Sequence, residues 1–347
     1  MKILKPLFKI SFAIIILFMI SYFIGYIRNS HPKEVPQTVD QDTSLPSLAL
    51  NGYRFHSEHF GDPELPMVLV LHGGPGGDYR SLLDLKSLSD RYFVVYYDQR
   101  GSGLSPRTDE EYLTYDTAIS DIESIIKYYK PEEKVILIGH SWGGMLACGF
   151  LGQYPQLIDK MVIIEPGFLN AEMADLYFVK TNGLRPTFSF STLSFVIKSY
   201  FESLHVKEPD QSASRDYFFQ LLMSHPYKGH PLSGYFCNHN MNAFEVPYWR
   251  VGSQASQVMM ASGFNDHGKL QVNFAKGLNE IDTPVLLLVS TCNSIIGIEH
   301  QKEHAKLFKN ISLDTISNAG HNMILEKPEE CMEKISSFLE SDHRSAN

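Results

Sequence analysis

A serine set between glycines at residues 139–143, Gly-His-Ser-Trp-Gly, is the part of this chain best suited to covalent chemistry. The spacing is G-x-S-x-G, in which small neighbours relieve crowding around a tight turn and lift the hydroxyl of Ser141 clear of the backbone. A serine hydroxyl becomes a useful nucleophile only when a neighbouring base takes its proton. His321 is the candidate among 14 histidines, because it closes Asn318-Ala319-Gly320-His321 after an apolar strand pattern, 180 residues beyond Ser141. His72 and His140 read instead as residues that shape glycine turns.

Such a pair needs a rigid scaffold, and the flanking pattern supplies one. Residues 135–138 form a short apolar run suited to a strand buried on both faces, and residues 145–154 have helical character, so Ser141 is expected at a helix N-terminus with amides free to stabilise an oxyanion. Further apolar runs at 69–71, 94–97, 160–164, 285–289 and 312–316 read as strands. Helical patterns fall between them: residues 78–90; 114–130, with Ile119, Ile122, Ile125, Ile126 and Tyr129 at helical spacing before Pro131; 299–308; and a closing helix at 328–339. Weaker strand signals lie at 51–60. Strands alternating with helices predict an α/β chain with a mostly parallel sheet.

Three motifs, HGGPGG from His72, DQRGSGLS from Asp98 and GHSWGG from Gly139, occur in order within residues 50–340. Together they resemble the α/β-hydrolase fold and, within it, the proline iminopeptidase family. The resemblance implies a central mostly parallel sheet flanked by helices, with an inserted mainly helical cap. It further implies a serine hydrolase that cleaves an amide or ester of a small-molecule or peptide substrate through a Ser-His-acid triad. No metal or organic cofactor would be required. By the same resemblance the amide of Trp142 and that of Gly73 or Gly74 would form the oxyanion hole. A serine at the elbow departs from the aspartate that haloalkane dehalogenase or epoxide hydrolase chemistry would need. An aminopeptidase is the leading reading; a carboxylesterase or lipid hydrolase, or a catalytically silent binding protein of this fold, are the alternatives.

The triad acid is the open position. The fold usually places it after the strand at 285–289, where this chain has Ser290-Thr291-Cys292-Asn293-Ser294 and no carboxylate before Glu299. Glu165, 24 residues beyond Ser141 at the end of the strand that follows the elbow helix, stands where some relatives take the acid. Glu299 reaching in, Asn293 as a neutral partner, or a dyad remain alternatives. Asp98 and Arg100 read as a buried pair that braces the loops. By the resemblance to iminopeptidases, Glu202, Glu208, Asp210, Asp216 and Glu245 in the cap would be candidates to grip a substrate amine; most of the many aromatic residues read as packing.

The resulting domain organisation is a transmembrane anchor at 1–28, a proline-containing linker at 29–48, a hydrolase core at 49–167 and 281–343, and a cap at 168–280. The anchor rests on the charge-free run at 10–27, about 27 Å as a helix at ~1.5 Å per residue, against a bilayer core of ~30 Å. Lys2, Lys5 and Lys9 before it, with no small-x-small cleavage site after it, predict an uncleaved signal anchor with a cytoplasmic N-terminus and an exoplasmic catalytic domain. A net charge of −9 without a basic stripe argues against nucleic-acid binding. Cys148, Cys237, Cys292 and Cys331 show no metal or redox spacing and read as small buried hydrophobes. Asn310-Ile311-Ser312 is a sequon that matters only where the source glycosylates.

Overall fold

The computed structural model describes residues 4–182, 189–207, 209–227 and 229–341; the side chains of residues 4–14, Phe18 and Asn182 lie outside the description. The chain opens with α1 (Leu4–Arg28) and then a two-residue strand, β1 (Lys33–Glu34). The antiparallel pair β2 (Ser47–Leu50) and β3 (Tyr53–Phe60) leads into β4 (Met67–Leu71). A run of 3-10 turns over Tyr79–Asp90, capped by the Asp78 side chain, precedes β5 (Phe93–Tyr97). Next come α2 (Tyr115–Tyr129), β6 (Val135–His140), α3 (Trp142–Gln153) and β7 (Ile158–Ile164).

Between β7 and the next core strand the chain leaves the sheet. This excursion holds α4 (Ala171–Asn182), α5 (Phe190–Ser203), the short β8 (Val206–Lys207), α6 (Ala213–Ser224) and α7 (Ser253–Ser262). The chain then returns as β9 (Val285–Ser290), α8 (Ile298–Ala305), β10 (Ile311–Ile316), α9 (Met323–Glu326) and α10 (Pro328–Glu340). The main sheet has eight strands in the order β10-β9-β7-β6-β4-β5-β3-β2. Strands β5, β4, β6, β7, β9 and β10 pair in parallel, while β3 joins β5 antiparallel.

The inner strands read as unbroken apolar runs because both faces of the sheet are covered. Alternate residues of β4 supply opposite faces: Met67, Leu69 and Leu71 pack toward α2 and α3, and Val68 and Val70 toward the 3-10 segment and α10. Each such side chain contributes about 1.5–3 kcal/mol on burial, so the register of these strands is strongly held. The sheet therefore presents the C-terminal ends of β4, β6, β7 and β9 at one rim as a rigid platform.

The membrane expectation falls partly outside the described side chains, which begin in α1 at Ile15. Among the described residues, no helix is long and apolar enough to cross a membrane. The cysteine expectation is corrected: Cys237 and Cys292 form a disulfide, whereas Cys148 and Cys331 are free and buried. No local motif marks that bond, because its halves are 55 residues apart and meet only when the excursion folds back on the loop after β9.

Candidate active site

Ser141 sits between the last residue of β6 and the first of α3, with φ 54° and ψ −117°, a conformation that L residues avoid. Two close approaches force this bend. A Cβ on Gly143 would collide with the Leu71 carbonyl, and one on Gly139 with the Gly143 carbonyl. Trp142 is the first residue of α3, so its amide has no acceptor within the helix. A Cβ on Gly73 would lie 3.2 Å from the Ser141 Cβ, whereas Gly74 takes φ +121° and precedes a cis proline. Gly73 and Gly74 both line the cavity that contains Ser141 and His321.

Several polar residues hold the glycine loop in place. His72 donates from Nδ1 to the Gly73 carbonyl at 2.7 Å and accepts the Gln99 amide at Nε2 at 2.9 Å. Gln99 also donates to the His72 carbonyl at 3.0 Å and accepts the Trp142 indole N–H at 3.0 Å. This glutamine thus ties three loops together, a role that its place in DQRG did not disclose. Burial pushes the His72 pKa down, which suits a neutral ring that must both donate and accept.

Asp98 and Arg100 do not pair with one another. Asp98 meets His56 Nδ1 at 2.7 Å and accepts the amides of Tyr79 and Leu104. Arg100 makes a two-pronged contact with Asp121 at 2.8 and 2.9 Å. Both residues lie past the end of β5, where the chain turns, and each reaches a separate partner.

The structure brings Glu165 to His321. The Glu165 Oε2 and the His321 Nδ1 are 2.9 Å apart, although 156 residues separate them in sequence. Glu165 follows β7, has φ 41° and is fully buried. Its Oε1 accepts from the Ser290 amide at 2.8 Å and hydroxyl at 2.6 Å, and its Oε2 also accepts from Asn293 Nδ2 at 2.7 Å. Asn293 therefore orients the carboxylate rather than the histidine. Glu299 points away: its side chain is 84 % exposed and bound to Lys302 at 2.8 Å.

Cap and core both position His321. Its amide donates to the Tyr235 carbonyl at 2.7 Å, its carbonyl pairs with His140 Nε2 at 2.9 Å, and the Tyr235 ring stacks on it at 4.3 Å. Tyr235 and His140 were legible as an aromatic and a turn residue but not as supports for the base. Burial lowers the His321 pKa to about 3 and raises that of Glu165 to about 7, the latter against the opposing bonds from Ser290 and Asn293. Opposite shifts disfavour a fully charged pair at rest and, once Glu165 is ionised above about pH 7, leave a neutral imidazole oriented by an acceptor behind it.

The cavity above Ser141 has a volume of about 300 Å³ and is walled chiefly by apolar side chains of the excursion, among them Phe219, Met223, Leu232, Phe244, Val246 and Met260. None of the described cap carboxylates lines it. Asp210 and Asp216 are bound to Arg250, and Asp216 also to Arg107, in a buried cluster. Glu202 pairs with Lys198, Glu245 is exposed, and Glu208 lies outside the described residues. The carboxylate that does line the cavity is Asp78, which accepts the amides of Arg80, Trp249 and Arg250. Burial and the nearby Asp98 hold its pKa well above the usual carboxylate range.

Residues 66–328 match the family described as alpha/beta hydrolase fold. The chain is similar to a proline iminopeptidase of Pestalotiopsis fici, at 28% identity over 84% of this chain and 98% of the relative. It is also similar to epoxide hydrolase 1 of Caenorhabditis elegans, at 24% identity over 84% of this chain and 69% of the relative. Among solved structures, a proline iminopeptidase-related protein of Thermus thermophilus superposes with a TM-score of 0.59 at 19% identity, covering 85% of this chain and 96% of that one.

Proposed function

From the premise that the chain belongs to the alpha/beta hydrolase fold family, we propose that it is a membrane-anchored serine hydrolase that cleaves esters of apolar acyl groups. The observation that carries this reading is that Ser141 and His321 line one apolar cavity, with Glu165 buried behind the imidazole. In the proposed reaction His321 Nε2 takes the Ser141 proton while Oγ attacks the ester carbonyl. The resulting oxyanion lies toward the amides of Trp142 and of Gly73 or Gly74, each donor being worth about 10²- to 10³-fold in rate. Collapse of the tetrahedral adduct expels the alcohol, protonated by His321, and leaves an acyl ester on Ser141. A water deprotonated by the same imidazole then hydrolyses that ester and restores the enzyme.

The similarity to an epoxide hydrolase does not carry that activity here. Serine attack on an epoxide carbon would form an alkyl ether, which offers water no carbonyl and would not turn over; a carboxylate nucleophile forms an ester and does. The similarity to a proline iminopeptidase supports aminopeptidase activity as a second reading. That substrate carries an ammonium, however, and an ammonium in an apolar cavity needs a carboxylate partner. Asp78 is poorly suited, since its oxygens already accept backbone amides and its pKa is raised.

Anchoring is supported by α1. Its described residues Ile15, Leu17, Met19, Ile20, Phe23, Ile24 and Ile27 are exposed over the face turned away from α5, as for a helix in apolar surroundings. The disulfide supports an oxidising, exoplasmic location of the domain.

The test is labelling by a fluorophosphonate probe, with turnover of p-nitrophenyl butyrate and proline p-nitroanilide. Labelling abolished in Ser141→Ala and faster ester turnover are expected. Undiminished labelling removes Ser141 as the nucleophile, and preferential release of proline replaces the ester reading with the aminopeptidase one.

A further inference from the structure

Helix α5 and the residue that caps it carry an apolar stripe that is largely open to the outside. Phe190, Leu193, Ile197, Tyr200 and Leu204 recur at spacings of three and four, on one side of the helix, and are 86, 39, 46, 44 and 37 % exposed. Leu176 and Val179 of α4 are also exposed, at 45 and 73 %. A patch of this size on a water-facing surface costs solubility, which points to a partner.

The position of α1 identifies that partner. Tyr22 packs on Phe201 of α5 with ring centroids 5.2 Å apart, and Tyr26 packs on His205 just beyond α5 at 4.2 Å. Gly25 lies so close to the Phe201 ring that a Cβ there would collide with it. These three contacts occupy the last two turns of α1, within about 9 Å of its end at ~1.5 Å per residue. Tyrosines at that place match the headgroup level of a bilayer, and about 5–10 Å is the depth to which an amphipathic helix sinks there. Phe201 and Tyr200 both meet Tyr22 of α1, while Phe190, Leu193 and Ile197, one to three turns earlier, stay open. Lys198, 65 % exposed on the same helix, can reach lipid phosphates.

We propose that the cap docks on the lipid bilayer through the α5 stripe, so that the cavity receives esters dissolved in the membrane. This rests on the anchored-hydrolase reading and adds a second, interfacial contact and a substrate source. Tyr177 of α4 lines the cavity while Leu176 and Val179 of the same helix are exposed, so α4 has one side on the reaction chamber and another open to the outside.

The full chain reconstituted in phosphatidylcholine vesicles tests this with two tryptophan reporters, Phe23→Trp for the anchor and Phe190→Trp for the stripe. Nitroxide-labelled lipid is expected to quench both, the second by a shallow label. Quenching of the first without the second overturns docking and leaves the anchor standing; quenching of neither removes the anchor and docking with it. In the full chain, the combined change Leu193→Asn, Ile197→Asn and Leu204→Asn is expected to raise the KM for a long-chain ester presented in the vesicles by about ten-fold, with a short soluble ester unaffected. An unchanged KM, or a stripe buried instead in a concentration-dependent dimer on cross-linking, overturns the proposal.

Discussion

Replacing Glu165 with glutamine tests the chemistry most directly, because it alters charge and hydrogen-bond polarity while keeping the shape. The native carboxylate accepts four hydrogen bonds, two from Ser290 on Oε1 and one each from Asn293 and His321 on Oε2. A glutamine offers one oxygen and one NH₂. If its oxygen serves Ser290, the NH₂ opposes the donors of both Asn293 and His321. The imidazole then relieves the clash by accepting at Nδ1, which moves its proton to Nε2, where it can no longer take the Ser141 proton. The anion that stabilised the imidazolium is lost as well. The expected fall in kcat is about 10³- to 10⁴-fold, equivalent to ~4–5.5 kcal/mol at ~1.36 kcal/mol per decade. Ester turnover by the purified variant measures it, with circular dichroism and thermal unfolding to confirm the fold. Glu299→Gln, which removes only an exposed contact to Lys302, is expected to stay within about two-fold of the parent. A Glu165→Gln enzyme retaining more than about a tenth of the parental kcat would refute the assignment, since a bystander carboxylate costs no decade of rate.

Three further outcomes follow from the same geometry. The Glu165–His321 pair holds an extra proton until the pH exceeds the raised value of about 7 at Glu165; that proton, on either partner, leaves Nε2 unable to act as base, so kcat/KM is expected to rise with pH through about 7 and then level, and a profile flat from about pH 5 to 8 would contradict this. Cys237→Ser opens the disulfide that ties the cap to Cys292, next to Asn293; a loss of about 2–4 kcal/mol in denaturant unfolding is expected, reproduced by dithiothreitol in the parent and absent from the already reduced variant. Asp216→Asn removes the charge that Arg107 and Arg250 share in the buried cluster; it is expected to cost about 3–5 kcal/mol, and a variant within about 1 kcal/mol of the parent would show that the cluster does not hold the cap.

The core of the fold and the elbow were readable because their causes are local. Two-sided burial imposes the apolar runs of β4, β6, β7 and β9, and the bend at Ser141 requires glycines immediately beside it. A histidine after β10 and a glycine was visible for the same reason. The remaining partners depended on contacts across the molecule. Glu165 and Asn293 follow strand ends closely, and Glu299 lies in the first turn of α8. Only the packing of β7 against β9 puts Glu165 on His321 and Asn293 on Glu165, and leaves Glu299 in solvent. The disulfide, the Gln99 crosslink and the Tyr235 support likewise join separate loops. The cap carboxylates show the reverse: their charge suggested a grip for an amine, yet buried arginines claim Asp210 and Asp216. Residue type and short-range periodicity determine which elements form and where a reactive hydroxyl can stand; which distant group completes a hydrogen bond is decided by the three-dimensional meeting of chain segments, which leaves no periodic trace in the sequence.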